Sequence, residues 1–156
     1  MKASLTRDYK LKFYLNAQHF ITINGSKGET HPHTWEFCLI IRVPKQGMTP
    51  FEQFEKPIEE FLKPFQNQVL NDMEPFDARM PTLENIVDVF AVDFCRIAYE
   101  FGGVLQSVEG SEGPTRGYIV TIDYDDDPLA NNPAFKESVS QVIGSILDEI
   151  TGETGQ

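Results

Sequence analysis

Near the start of the chain apolar and polar residues alternate, with Leu11, Phe13 and Leu15 on one side and Lys10, Lys12 and Tyr14 on the other. That period of two predicts a half-buried strand within residues 8–22, with His19 just past its regular part. Asn24-Gly25 and Lys27-Gly28 mark a loop, because both glycine and asparagine accept the positive φ of a tight bend. A second alternation, Thr34 to Val43, puts Trp35, Phe37, Leu39, Ile41 and Val43 on one face and Glu36, Cys38, Ile40 and Arg42 on the other.

The period then changes. Phe51, Phe54, Ile58, Phe61, Leu62 and Phe65 recur at helical spacing. Proline fits poorly inside a helix, so Pro57 is expected to open this one after an entry turn over 51–56, and Pro64 to end it. After a loop over 66–81, Thr82 is an N-cap, and Leu83, Ile86, Val87, Phe90, Phe94, Ile97 and Phe101 form a stripe that Gly102-Gly103 stops. Val104–Ser111 and Gly117–Asp125 read as a hairpin turning near Gly113-Pro114. Leu129 to Gly152 is a last helix, capped by Asn132 with Pro133 at its first position and striped by Phe135, Val139, Val142, Ile143, Ile146, Leu147 and Ile150. This order predicts an α+β fold, an antiparallel sheet with helices on one face.

Composition narrows the function. A chain of 156 residues suits one core, and a net charge of −11 argues against nucleic acid and anionic membrane surfaces as partners. Asp123, Asp125, Asp126 and Asp127 read as a solubility feature. Cys38 and Cys95 sit in apolar runs and are expected to be free thiols. With no stretch of signal-peptide or membrane-span length, a cytoplasmic location is expected.

The chemistry gathers in Ala17 to Thr34, which holds all three histidines, His19, His31 and His33. Catalytic zinc takes three protein ligands and keeps a fourth position open. Two apart on a strand, His31 and His33 point the same way, and a third imidazole on a neighbouring strand would complete the set. Spacing alone equally fits histidines solvated in a polar turn.

Several segments together resemble the 6-pyruvoyl-tetrahydropterin synthase and 6-carboxy-tetrahydropterin synthase family. Leu15-Asn16-Ala17-Gln18-His19 is similar to its F-x-A-x-H, and His31-Pro32-His33 to its H-G-H. Pro81-Thr82-Leu83-Glu84-Asn85 matches its P-T-x-E-N, and Leu70-Asn71 the end of its L-D-H-x-x-L-N. Glu112 sits where the family has a glutamate that anchors the pterin ring. The resemblance implies a tunnelling fold over residues 1–127, a four-stranded antiparallel sheet with two helices on one face, and residues 128–156 as a C-terminal helical extension. It also implies a homohexamer built as a dimer of trimers, Zn2+ held by His19, His31 and His33, and a small-molecule pterin substrate such as dihydroneopterin triphosphate.

The chain departs from the pattern where protons are moved. The segment before His31 lacks the family's catalytic cysteine, and Gln66-Asn67 replaces its Asp-His pair. Glu29 is the preferred substitute base over Lys27, since a carboxylate is ionised at neutral pH whereas a lysine needs a strongly lowered pKa. Glu112 would accept hydrogen bonds from the ring, and its alternative is a solvated turn carboxylate. Thr82 is a helix cap and a candidate ring contact. The resemblance therefore implies a zinc-dependent pterin lyase with unusual proton-transfer residues; the alternatives are a non-catalytic zinc-containing pterin or purine binder, and a scaffold whose histidines are structural.

Overall fold

The two alternating stretches pair with each other along their whole length. In the computed structural model, which describes residues 1–124, they are β1 (Arg7–His19) and β4 (His31–Val43), joined by a small hairpin of β2 (Thr22–Ile23) and β3 (Ser26–Lys27). Asn24 and Gly25 turn that hairpin with φ of 51° and 78°, the left-handed pair that suits a two-residue turn. The predicted helix over 129–152, and with it residues 128–156, lies outside the described residues.

β1 and β4 run antiparallel from Arg7↔Val43 to His19↔His31. Both strands therefore extend further than their sequence pattern indicated. His19 is the last residue of β1, and β4 begins at His31 instead of Thr34. Backbone pairing, carried through to the hairpin, sustains the ladder where the alternation of side chains has faded. The sheet continues through β5 (Val104–Gly113) to β6 (Arg116–Thr121), in the order β1-β4-β5-β6, all antiparallel.

Two helices cover one face, α1 (Glu52–Leu62) and α2 (Leu83–Glu100). Here α1 corrects the expectation: it starts at Glu52 and holds Pro57 inside it. Phe54, Ile58 and Leu62 lie one turn apart and are all buried, each contributing roughly 1.5–3 kcal/mol. Together they outweigh the ~3 kcal/mol that an internal proline costs. α2 begins as predicted, with the Thr82 hydroxyl accepting from the Asn85 backbone N–H at 3.2 Å, and its buried stripe includes Ile86, Val87, Phe90, Phe94 and Ile97. Close approach of α2 to β5 needs Gly110, where a Cβ would collide with the Val87 side chain. The predicted loop over 66–81 is mostly irregular, yet Leu70 and Phe76 in it are core residues.

One irregularity decides which way β5 faces. Ile40 pairs with Ser107 but Ile41 pairs with Leu105, so Gln106 is an extra residue in β5. A bulge of this kind resets the alternation. Leu105 and Val108 are consequently both buried, and the even-numbered residues beyond, Gly110 and Glu112, follow Val108 toward the helix-covered face.

Cys38 and Cys95 are free, as expected, and half-buried. Burial pushes both thiols above their ordinary pKa. No helix among the described residues is long and apolar enough to cross a membrane.

Candidate metal centre

The core side of β1 and β4 runs out of apolar residues at one end, where histidines take their place. Beyond Trp35 the inward positions of β4 are His33 and His31, and the last inward position of β1 is His19. The register sets His19 directly opposite His31, with His33 across from Ala17. Ring centroids are 4.6 Å apart for His19 and His31, 5.0 Å for His19 and His33, and 4.8 Å for His31 and His33. One nitrogen from each ring lies within 4.8 Å of the others, so the three can hold one metal ion.

The tautomers are fixed from outside. His19 Nδ1 is 2.7 Å from the Pro81 carbonyl oxygen, and His31 Nδ1 is 2.9 Å from that of Glu29. A carbonyl only accepts, so both Nδ1 atoms donate and both Nε2 atoms present lone pairs. Those two Nε2 atoms face each other at 3.0 Å. Without a positive charge between them that contact is repulsive. A second proton on His19 is disfavoured, because burial lowers its pKa and the neighbouring imidazoles add to the lowering, against the Pro81 hydrogen bond and the Glu112 carboxylate, which raise it. Zinc fits this donor set, since nitrogens at about 2.0–2.1 Å from one tetrahedral ion stand about 3.3 Å apart, and ligating histidines characteristically donate their other N–H to such a partner.

Burial grades across the triad. His19 is 2% exposed, His33 half-buried and His31 exposed. His19 and His33 both meet the buried Trp35 ring, at centroid distances of 5.0 and 5.2 Å. Trp35 Nε1–H in turn donates to Glu112 Oε1 at 3.1 Å. Glu112 thus lies on the same face as the imidazoles, half-buried at the end of β5.

The remaining residues singled out in the sequence fall as follows. Glu29 is exposed, and its contact to the centre is made by its backbone carbonyl. Thr82 caps α2, beside the Pro81 carbonyl that holds His19. Lys27 Nζ lies 4.2 Å above the Phe20 ring. Gln66 lies along the outer edge of β1, bonded to backbone. Sequence reasoning treated Trp35 as core alone and passed over Pro81 as a partner of His19. A buried indole needs an acceptor for its N–H, and that was the available signal for Trp35.

Fold and site together define a tunnelling-fold protein able to hold a metal ion between two strands at the open end of its helix-covered sheet face. Residues 9–123 match the 6-pyruvoyl tetrahydropterin synthase family, and the chain belongs to it. Among solved structures it is similar to the 6-pyruvoyl tetrahydropterin synthase of Caenorhabditis elegans, with 16% identity and a TM-score of 0.61 over 79% of this chain and 100% of that one. A Plasmodium vivax 6-pyruvoyltetrahydropterin synthase, in a variant with its catalytic glutamate replaced by alanine, gives 14%, 0.61, 77% and 99% for the same measures. The Plasmodium falciparum enzyme gives 14%, 0.56, 75% and 99%. At these identities the likeness is one of fold. No curated protein matches the chain.

Proposed function

We propose that this protein is a zinc-dependent, pterin synthase-like lyase acting on the side chain of dihydroneopterin triphosphate or a related dihydropterin. The observation that carries the reading is the pair of Nε2 lone pairs facing each other at 3.0 Å, each fixed by a carbonyl on the far side of its ring. Family membership supplies the substrate class.

His19, His31 and His33 would hold the ion, and zinc bound there supplies Lewis acidity toward the oxygens of the pterin side chain. Glu112 accepts the parallel N–H groups of the ring. Its Oε1 already accepts a hydrogen bond from the Trp35 N–H at 3.1 Å, but each carboxylate oxygen has two lone pairs, so a bidentate contact remains open. Thr82 stands as a further ring contact at the start of α2. Glu29 takes the proton from the side-chain carbon as general base, one residue beyond the loop glycine and two before His31. A glutamate is named as a catalytic residue in the Plasmodium vivax relative, which supports giving a glutamate a part in the chemistry. The working form is a homohexamer, and β6 offers a sheet edge without a strand partner among the described residues.

A second reading has its own observation. Both ends of the Gln66 carboxamide are bound to β1 backbone, to the Asn16 N–H and the Tyr14 carbonyl, so no proton moves through that position. A zinc-containing pterin or purine binder without turnover would need nothing more than the site described.

Metal analysis of the purified protein, followed by turnover of dihydroneopterin triphosphate and dihydroneopterin, tests both. Stoichiometric zinc with turnover lost in Glu29→Gln supports the lyase. Saturable pterin binding with no turnover leaves the binder, and a protein without zinc excludes both.

A further inference from the structure

The outer edge of β1 should be an open row of peptide groups from Tyr14 to Phe20, since β4 pairs only with its inner edge. Instead residues 66–71 close it as an improvised strand. Gln66 Nε2–H donates to the Tyr14 carbonyl at 2.8 Å, and the Asn16 N–H donates to Gln66 Oε1 at 2.9 Å. Next, the Asn67 N–H donates to the Asn16 carbonyl at 2.6 Å and the Gln18 N–H to the Gln68 carbonyl at 2.8 Å. Asn67 makes the bend between these modes with φ of 60°, a left-handed conformation that asparagine tolerates. Finally the Phe20 N–H donates to Asn71 Oδ1 and Asn71 Nδ2–H to the Phe20 carbonyl, both at 2.9 Å.

The last pair falls on the residue immediately after His19. An amide side chain there exchanges two hydrogen bonds with one residue, as the partner residue of an antiparallel strand does. Leu70, fully buried, anchors the short helical turn Leu70–Asp72 that presents it. The backbone on both sides of His19 is therefore held, by Gln68 at Gln18 and by Asn71 at Phe20, while Pro81 holds the ring.

We propose that Asn71 is a positioning residue for the metal centre. Its carboxamide stands in for the missing strand, fixes the Phe20 peptide, and so sets where His19 Nε2 meets the ion. This rests on His19 being a ligand. In this chain residues 66–71 act as a strap for the ligand strand.

The test uses the full chain and zinc alone. Zinc affinity is measured by competition with a chelator, the ligand geometry from the visible spectrum of the cobalt(II) form, and stability by thermal melting. Asn71→Ala should weaken zinc binding by about 10- to 100-fold, the usual cost of losing a group that orients a ligand, and shift the cobalt bands. Gln66→Ala removes two bonds of the same kind further from His19. It should lower the melting temperature and leave zinc affinity and cobalt bands unchanged. Asn71→Asp keeps the acceptor for the Phe20 N–H and loses the donor, so it should show a smaller loss, and it carries the test if the alanine variant does not fold. Wild-type zinc affinity in Asn71→Ala or Asn71→Asp overturns the proposal, as does an equal loss in Gln66→Ala. A wild-type protein that binds no zinc overturns the metal reading itself, and this with it.

Discussion

Trp35 ties Glu112 to the histidines: the indole N–H reaches the carboxylate at 3.1 Å while the indole ring lies against His19 and His33. They are cross-strand neighbours, one step beyond the Glu36–Ser111 pair of β4 and β5. Trp35 is fully buried and is the only tryptophan of the chain. A single side chain thereby packs its ring against two imidazoles and donates its N–H to the carboxylate.

Trp35→Phe keeps an aromatic ring against the histidines and removes the donor. A hydrogen bond to a charged group contributes about 1.5–3 kcal/mol, so dihydropterin affinity should fall about tenfold or more while zinc affinity stays. Equilibrium binding of the two ligands to the same variant checks this. Glu112→Gln is the companion, and unchanged pterin affinity in it would remove Glu112 from the ring site altogether.

Zinc should stabilise the fold, because the centre links β1 to β4. At free zinc 100-fold above its dissociation constant the gain is about 2.7 kcal/mol, read as a rise in melting temperature that a chelator reverses. His31→Ala should abolish that rise with little effect on the metal-free protein, since His31 is exposed. A rise that survives in His31→Ala would place the ion elsewhere.

Acid should destabilise the metal-free protein through His19. Burial holds its pKa below the ordinary 6.5, so the unfolded chain binds this proton more readily than the folded one. Stability is therefore fully present above about pH 6.5 and is lost as the pH falls from there through the lowered folded value. Denaturant titrations across this range should show the slope in the wild type and a reduced slope in His19→Gln.

Glu29 separates backbone from side chain. Its carbonyl orients His31 at 2.9 Å, a contact that substitution leaves in place. Glu29→Gln should keep zinc affinity and lower the turnover number by about 10²- to 10⁴-fold, the worth of a general base. Single-turnover kinetics on zinc-loaded protein measures it; full activity in the variant would assign the proton to another group.

Much of the site is legible in the order of residues. The alternation in β1 and β4 sets the faces of Phe13, Leu15, Trp35 and Phe37, and the two-residue spacing puts His31 and His33 on one side. The helix cap and stripe of α2 follow from local chemistry at Thr82 and Gly102. Pro57 misleads, because its local cost stands out in the sequence while the burial of Phe54, Ile58 and Leu62 on either side of it does not.

Alternation, capping and the crowding of imidazoles are properties of neighbouring residues, and the sequence by itself determined them. What brought His19, Trp35 and Glu112 to one place depends on distant segments. The bulge at Gln106 turns Glu112 to the histidine face, whereas unbroken alternation from Leu105 would have turned it away. The bonds from Pro81 to His19, from Gln68 to Gln18 and from Asn71 to Phe20 come from a loop fifty or more positions along the chain. Such contacts leave no periodic trace, so only the folded chain reveals them.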